Sequence, residues 1–270
     1  MGDVRNPEDV KRQYGSPENL NSRMYLHQRY STNKLGFGNW VFQQYQLREN
    51  QSILELGCGT ARIWRTNADQ IPRGVKLILS DLSEGMLEAA EANTKGLVSA
   101  EYRIIDAQEI PYDAEAFDVV IANHMLYHVP EIDKALSEVS RVLKPGGTFY
   151  ATTVGRDNLK EIAALLRGFD DMIDFAQGTV TDAFGLENGG AKLSGHFHSV
   201  GMVRYEDSLH ITDAEPLVDY VLSLRGIGNV RDIIRGENLA RFTRYIDGVF
   251  AKKQYFDVTK AAGIFAASNL

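Results

Sequence analysis

The residues best suited to chemistry sit at the ends of short apolar runs. Ile53-Leu54-Glu55-Leu56 leads straight into Gly57-Cys58-Gly59-Thr60, and a helix-period segment begins at Ala61-Arg62. Glycine serves where backbone turns sharply or approaches a ligand closely. The first such loop of a parallel sheet opens at the crevice where ligands bind. Taken alone, a G-x-G serves equally well as a tight strand-to-helix turn. Asp81 ends the second apolar run, where a carboxylate can accept both hydroxyls of a ribose. Capping the next helix is its alternative use, but Ser83 suits that role better. Asp106 repeats the placement after a third run. It could accept from an adenine amino group, with Ala107 and Gln108 beside it.

The elements that must position these residues follow from periodicity. Strands are expected at 52–56, 76–81, 101–106, 117–123 and 148–153, alternating with helices at 61–70, from Ser83, and at 131–143. That alternation signals βαβ units around a parallel sheet. Val119, Val120, Ile121 and Ala122 suit a strand buried on both faces. Ile132, Leu136, Val139 and Leu143 share one helical face, and Pro145-Gly146-Gly147 ends that helix. Before residue 50, helices are expected at 24–30 and 40–47. Beyond Gly155 the alternation lapses into helices at 159–169, 214–224 and 239–252, with strands at 202–209 and 263–267. The expected organisation is an N-terminal helical cover (1–50), a ligand-binding core (51–155), a helical insert or acceptor lid (156–200) and a C-terminal completion of the core sheet (201–270).

Five segments in order resemble the motifs of class I S-adenosylmethionine-dependent methyltransferases. They are Glu55-Leu56-Gly57-Cys58-Gly59-Thr60; Ser80-Asp81-Leu82-Ser83 with Met86-Leu87; Asp106-Ala107-Gln108 with Ile110-Pro111-Tyr112; Phe117-Asp118-Val119-Val120 into Leu126-Tyr127-His128-Val129; and Leu143-Lys144-Pro145-Gly146-Gly147. The match covers 52–153. The resemblance implies a doubly wound α/β, Rossmann-like, seven-stranded sheet with a reversed last strand, and S-adenosylmethionine as cofactor. It implies that Gly57, Cys58 and Gly59 pass the methionine part and that Asp81 holds the ribose. Leu82 and Met86 would flank the adenine, whose edge Asp106, Ala107 and Gln108 would read. Asn123 and His124 would lie near the amino group and sulfonium, with Glu55 ordering the loop. Arg29 and Tyr30 of the cover, with Tyr25, would close over the cofactor, although packing of an amphipathic helix explains them as well. The implied reaction is methyl transfer to a small-molecule O, N or C nucleophile beneath the segment 160–200, releasing S-adenosylhomocysteine as a tight product inhibitor.

The cofactor arrives activated, so the protein's main task is alignment. His128 is the catalytic candidate, because histidine can take a proton from an acceptor that must lose one. Its other reading is to orient the Val129-Pro130 turn. A nicotinamide-dependent oxidoreductase fits less well, since its fingerprint wants a third small residue where Arg62 stands. A binding protein that keeps the site without turnover is the alternative from another class, and a methyltransferase acting on protein or RNA is a further one. Phe169, Met172, Ile173 and Phe175 form an apolar stripe, read as core packing or as pocket lining.

The bulk properties narrow the choice of partners. A net charge of −7 without a Lys/Arg block disfavours nucleic acid and anionic lipid. Cys58 is the single cysteine, which excludes an internal disulfide and a cysteine-based zinc cage and suits a reducing, cytoplasmic setting. With no base beside it in sequence, Cys58 is not expected to act as a nucleophile. His196-Phe197-His198 has no third ligand nearby, so no metal is expected. No signal peptide or membrane-spanning run is seen, and a monomer or homodimer is expected.

Overall fold

The apolar runs of the first half build one mixed sheet. The computed structural model describes residues 17–175, 177–224 and 228–269. Its parallel strands are β1 (Ser52–Leu56), β2 (Lys76–Asp81), β3 (Ala100–Ile104), β4 (Phe117–Asn123) and β5 (Leu143–Val154). Together with β6 (Ser199–Tyr205) and the final β9 (Ala262–Ser268), they form a seven-stranded sheet in the order β3-β2-β1-β4-β5-β9-β6. β9 runs antiparallel to both neighbours, so the last strand in sequence is the reversed one. The central strands β1 and β4 are the most apolar, and Val120, Ile121 and Ala122 are wholly buried. β3 lies at the edge and carries Glu101, Arg103 and Ile104 exposed.

Helices α1 (Pro17–Tyr30), α2 (Phe37–Gln44), α3 (Arg62–Thr66), α4 (Glu84–Thr94) and α5 (Ile132–Val142) connect and cover these strands. The Ser83 hydroxyl caps α4 by accepting from the Met86 N–H at 3.4 Å. α5 buries Ala135, Leu136, Val139 and Val142 against the sheet, as its periodicity predicts. The expected helix at 61–70 is shorter: α3 stops at Thr66, and a single 3-10 turn over Ala68–Gln70 follows. The chain leaves α5 at Leu143 directly into β5, so Pro145-Gly146-Gly147 falls inside that strand, opposite a register irregularity between Phe117 and Val119.

The C-terminal half departs most from a simple completion of the sheet. The run expected as one strand over 202–209 is two, β6 and β7 (Ser208–Ile211), interrupted at Glu206-Asp207. β7 pairs with β8 (Phe256–Thr259) in a separate two-stranded ribbon. The break has a chemical cause: the Asp207 carboxylate turns inward to meet the Lys260 ammonium at 2.6 Å, and neither side chain is more than 10% exposed. The remaining helices are α6 (Lys160–Phe169), α7 (Gln177–Phe184), α8 (Gly189–Ser194), α9 (Ala214–Leu222), α10 (Val230–Ile233) and α11 (Glu237–Lys253).

A second apolar core forms beside that of the sheet. It joins Leu26 and Tyr30 of α1, Ile162 and Leu166 of α6, Leu209 and Ile211 of β7, Leu217 and Val221 of α9, and Phe242 and Ile246 of α11. Helix α1 is thus cored with elements that follow it by about 130 residues or more, and a bridge between Ser31 and Leu209 ties its end to β7. Among the described residues no helix is long and apolar enough to cross a membrane.

Candidate active site

The site grows from the C-terminal ends of β1, β2 and β4. β1 lies between β2 and β4, with Leu56 opposite both Ser80 and Ala122. The loop leaving β1 is anchored to β2, because the Cys58 N–H donates to the Ser80 carbonyl at 2.8 Å. The Asp81 carboxylate then closes the curve. It accepts the Gly59 N–H at 3.0 Å through one oxygen and the Ser83 N–H at 2.9 Å through the other. Burial pushes the Asp81 carboxyl above its ordinary range, opposed by these amide bonds and one from Leu82.

Both loop glycines have positive φ, 67° at Gly57 and 55° at Gly59, but their surroundings differ. A Cβ on Gly57 would lie 2.9 Å from the Met125 Cβ, so the segment after β4 packs hard against this turn. A Cβ on Gly59 would meet nothing within 4 Å. The loop therefore presents bare backbone to open space beside a carboxylate. Leu82, an apolar side chain left 39% exposed, stands next to it, with Met86 buried beneath. These features fit an adenosyl cofactor: free backbone for its amino-acid part, a carboxylate for its ribose and an apolar surface for its base.

Glu55 supports the site from below. Its buried carboxylate accepts from the Trp64 indole N–H and from Asn123 Nδ2 at 2.7 Å, while Asn123 Nδ2 also donates to the Tyr45 hydroxyl at 2.7 Å. Glu55 thus joins β1, β4, α3 and the end of α2, and reaches the glycine loop only through them. Burial lifts its carboxyl to about 7, Asp81 adds to the rise, and the Asn123 and Trp64 bonds oppose it. An unfolded chain releases this proton near pH 4.5, whereas the fold retains it to about 7. The stabilising contribution is complete below the lower value and is lost as pH rises through the upper one. Relative to Glu55→Gln, the parent chain should lose about 3 kcal/mol across that window. Urea unfolding of both chains at about pH 5 and about pH 8 measures the difference; identical pH dependence would contradict it.

The third strand end is built differently from the second. Asp106 lies two residues past β3 and folds into a turn, accepting the Gln108 N–H at 2.8 Å and the Gln108 side-chain amide. Gln108 Oε1 accepts the Glu131 N–H at 3.1 Å, so this pair braces the start of α5, and Ala107 is buried beside it. His124 follows β4 with φ 49°, its N–H held by the Thr152 hydroxyl at 3.0 Å. Burial, Lys260 and His128 lower the His124 imidazole to about 4, which keeps it neutral. His128 ends a 3-10 turn (Leu126–His128), edge-on to Tyr127 at 4.6 Å, and α7 packs on this turn.

Several residues have other partners than the sequence suggested. Tyr30 donates to Asp213 at 2.6 Å and Arg29 reaches the same carboxylate at 3.4 Å, while Met24 of the same helix lies 3.7 Å from Arg62, just past the glycine loop. Tyr25 joins them through Arg29 Nη1 at 3.1 Å. Of the apolar stripe, Phe169, Ile173 and Phe175 pack into the second core, while Met172 is exposed. His196 and His198 have separate neighbours, Asp133 with Ser137 and Asn269 respectively. The Cys58 thiol is pushed up by burial and by Glu55 and Asp81, opposite to what a nucleophile needs. Met125, Tyr45 and Trp64 shape the site without having announced themselves in the sequence.

Comparison with known proteins agrees with this arrangement. Residues 54–151 match the methyltransferase domain family. The chain is 32% identical over 127 residues to malonyl-[acyl-carrier protein] O-methyltransferase of Salmonella typhimurium, covering 46% of this chain and 47% of that protein. It is 33% identical over 107 residues to demethylmenaquinone methyltransferase of Staphylococcus carnosus, covering 40% and 44% respectively. The matches thus span less than half the length of either relative. Among solved structures, Haemonchus contortus phosphoethanolamine N-methyltransferase 2 in complex with S-adenosyl-L-methionine shares the fold at TM-score 0.58 and 17% identity, covering 100% of this chain and 60% of that one. The segment 54–151 is thus similar to the methyltransferase domain family, and the sheet order around it is shared with solved methyltransferase structures.

Proposed function

We propose that the chain transfers a methyl group from S-adenosylmethionine to a small-molecule O, N or C nucleophile and releases S-adenosylhomocysteine. The observation that carries this reading is the junction of Asp81 with Gly59, where a carboxylate orders a loop whose outer face is open. When bound, the cofactor supplies a methyl group already activated on a sulfonium. The chain's residues hold it and align the acceptor. Gly57, Cys58 and Gly59 take the amino-acid part, with Asn123 and His124 beside its amino group. The Asp81 carboxylate accepts from the ribose hydroxyls through lone pairs that the amide donors leave free. Leu82 and Met86 flank the base, and Asp106, Ala107 and Gln108 meet its edge.

His128 accepts the proton of an acceptor that must lose one, at a ring nitrogen. Replacing it with alanine should lower turnover by about 100-fold or more, with cofactor affinity and thermal midpoint unchanged. Steady-state kinetics beside a melting curve separate the two effects. Unchanged turnover in a folded variant would remove the base and leave His128 as an orienting residue of the Val129-Pro130 turn. The overall reading is tested by incubating the protein with methyl-labelled S-adenosylmethionine and a metabolite extract. Label should appear in a small-molecule fraction together with S-adenosylhomocysteine. Label confined to protein or RNA would overturn the small-molecule assignment.

A further inference from the structure

A buried polar cluster lies where the second core meets the sheet. His27 is on α1, Tyr205 closes β6, and Lys260 stands in the turn between β8 and β9. Two atoms of this cluster, His27 Nδ1 and the Tyr205 hydroxyl, are buried without a hydrogen bond of normal geometry among the described residues, Tyr205 having only the Ser31 side chain close by. Tyr205 is only 2% exposed. The nearby Ser31 hydroxyl gives its proton to Asp207 at 2.8 Å. Buried polar groups without partners are rare and costly, so their presence calls for something to pair with them.

The charges around these atoms cancel. The Lys260 ammonium is matched by Asp207, whose carboxylate also holds Ser31 and the amides of Asn33 and Ser208. Lys260 also lies 5.3 Å from the Tyr205 ring centroid, occupying the position a cationic ligand would seek. Burial and Lys260 hold the His27 imidazole down at about 3, and His124 is neutral for the same causes. With Lys260 and Asp207 paired, an ion of either sign meets no uncompensated opposite charge here, and Lys260 already fills the cation position over the Tyr205 ring.

An aromatic wall runs from this cluster to the end of β4. The Tyr205 ring is 5.1 Å from Trp40 and 5.3 Å from Phe37; Phe37 is 5.0 Å from His124, and His124 is 6.3 Å from Tyr127, which adjoins His128. Apart from Tyr205 itself, each of these rings is only half-buried. Half-covered rings in a row favour a flat, π-bearing molecule.

Resting on the methyltransferase reading, we infer that the acceptor is a neutral, planar, hydroxyl-bearing compound of the phenol or quinol class. It lies along Phe37, Trp40 and Tyr127, and Tyr205 and His27 are its specificity residues. A hydroxyl can donate to one of the two unpartnered atoms and accept from the other, since neutral imidazole and phenol can each take either role. A second hydroxyl of the same molecule would be the methylated group, near His128. That oxygen gains the methyl carbon as the carbon–sulfur bond breaks; its proton passes to His128, and the sulfur keeps the bonding electron pair.

The test uses the full chain saturated with S-adenosylhomocysteine and measures binding of catechol, hydroquinone, ethanolamine and benzoate by calorimetry. Catechol or hydroquinone should bind at least tenfold more tightly than ethanolamine and benzoate. Tyr205→Phe and His27→Leu should each weaken phenol binding at least tenfold without altering S-adenosylhomocysteine affinity. In the unmodified chain, the His27 ring resonances should move when catechol is added, and those of His198 should not. This readout holds even where a variant fails to fold. Equal or tighter binding of ethanolamine or benzoate, no phenol binding, a still His27 resonance, or phenol binding indifferent to both substitutions would overturn the inference. Loss of S-adenosylhomocysteine binding by the parent chain would instead count against the underlying methyltransferase reading.

Discussion

Asp81→Ala should lower the affinity for S-adenosylhomocysteine at least ~100-fold, because one carboxylate shapes the loop and, in the proposed pose, meets the ribose. In the protein its oxygens hold the amides of Gly59 and Ser83. Alanine abandons both amides and removes the acceptor that two hydroxyls would use, and hydrogen bonds to a charged group contribute ~1.5–3 kcal/mol each. The fold should survive, since Asp81 is only half-buried and water can replace it at the two amides. Asp81→Asn keeps one carbonyl oxygen and should retain an intermediate affinity. Equilibrium dialysis with labelled ligand, alongside circular dichroism, measures both quantities. An alanine variant that binds like the parent would separate Asp81 from the cofactor site.

The two loop glycines should respond oppositely to one added methyl group. Gly57→Ala places a Cβ 2.9 Å from Met125 in a backbone of φ 67°. Left-handed strain costs ~1–2 kcal/mol, and overpacking ~1–3 more. Against a total stability of ~5–15 kcal/mol, that lowers the thermal midpoint by several degrees or more. Gly59→Ala carries the same kind of strain at φ 55° but meets no atom within 4 Å. Its methyl group projects into the space assigned to the cofactor, so its larger effect should fall on affinity, at tenfold or more. Melting curves with and without S-adenosylhomocysteine distinguish the two. Equal stability losses with equal ligand-induced shifts would refute the assignment of an outer and an inner face to this loop.

The legible parts of the molecule are those governed by short-range patterns. The runs 52–56, 76–81 and 117–123 alternate with helical segments, as strands of a parallel sheet do, and they form strands with those bounds. Ser83, placed just before a helical segment, caps that helix. The reversed last strand follows from the family resemblance alone, and β9 is antiparallel to both neighbours. What stayed hidden depends on contacts distant in sequence. Nothing near Tyr30 or Arg29 announces that Asp213 will claim both, 183 residues later. Nothing near the run at 202–209 reveals that Asp207 will turn inward to Lys260 and cut the strand. Trp64 reads as an ordinary helical core residue until β1 brings Glu55 beneath its indole. Periodicity reports which face is apolar, but it does not name the side chain across the gap.

The cradle at residues 57–59 and Asp81 is tested most directly by titrating the parent chain with S-adenosylhomocysteine and, separately, with NAD in a calorimeter. The account predicts saturable, one-to-one heat with S-adenosylhomocysteine and none with NAD. Binding of NAD with no heat from S-adenosylhomocysteine would contradict it.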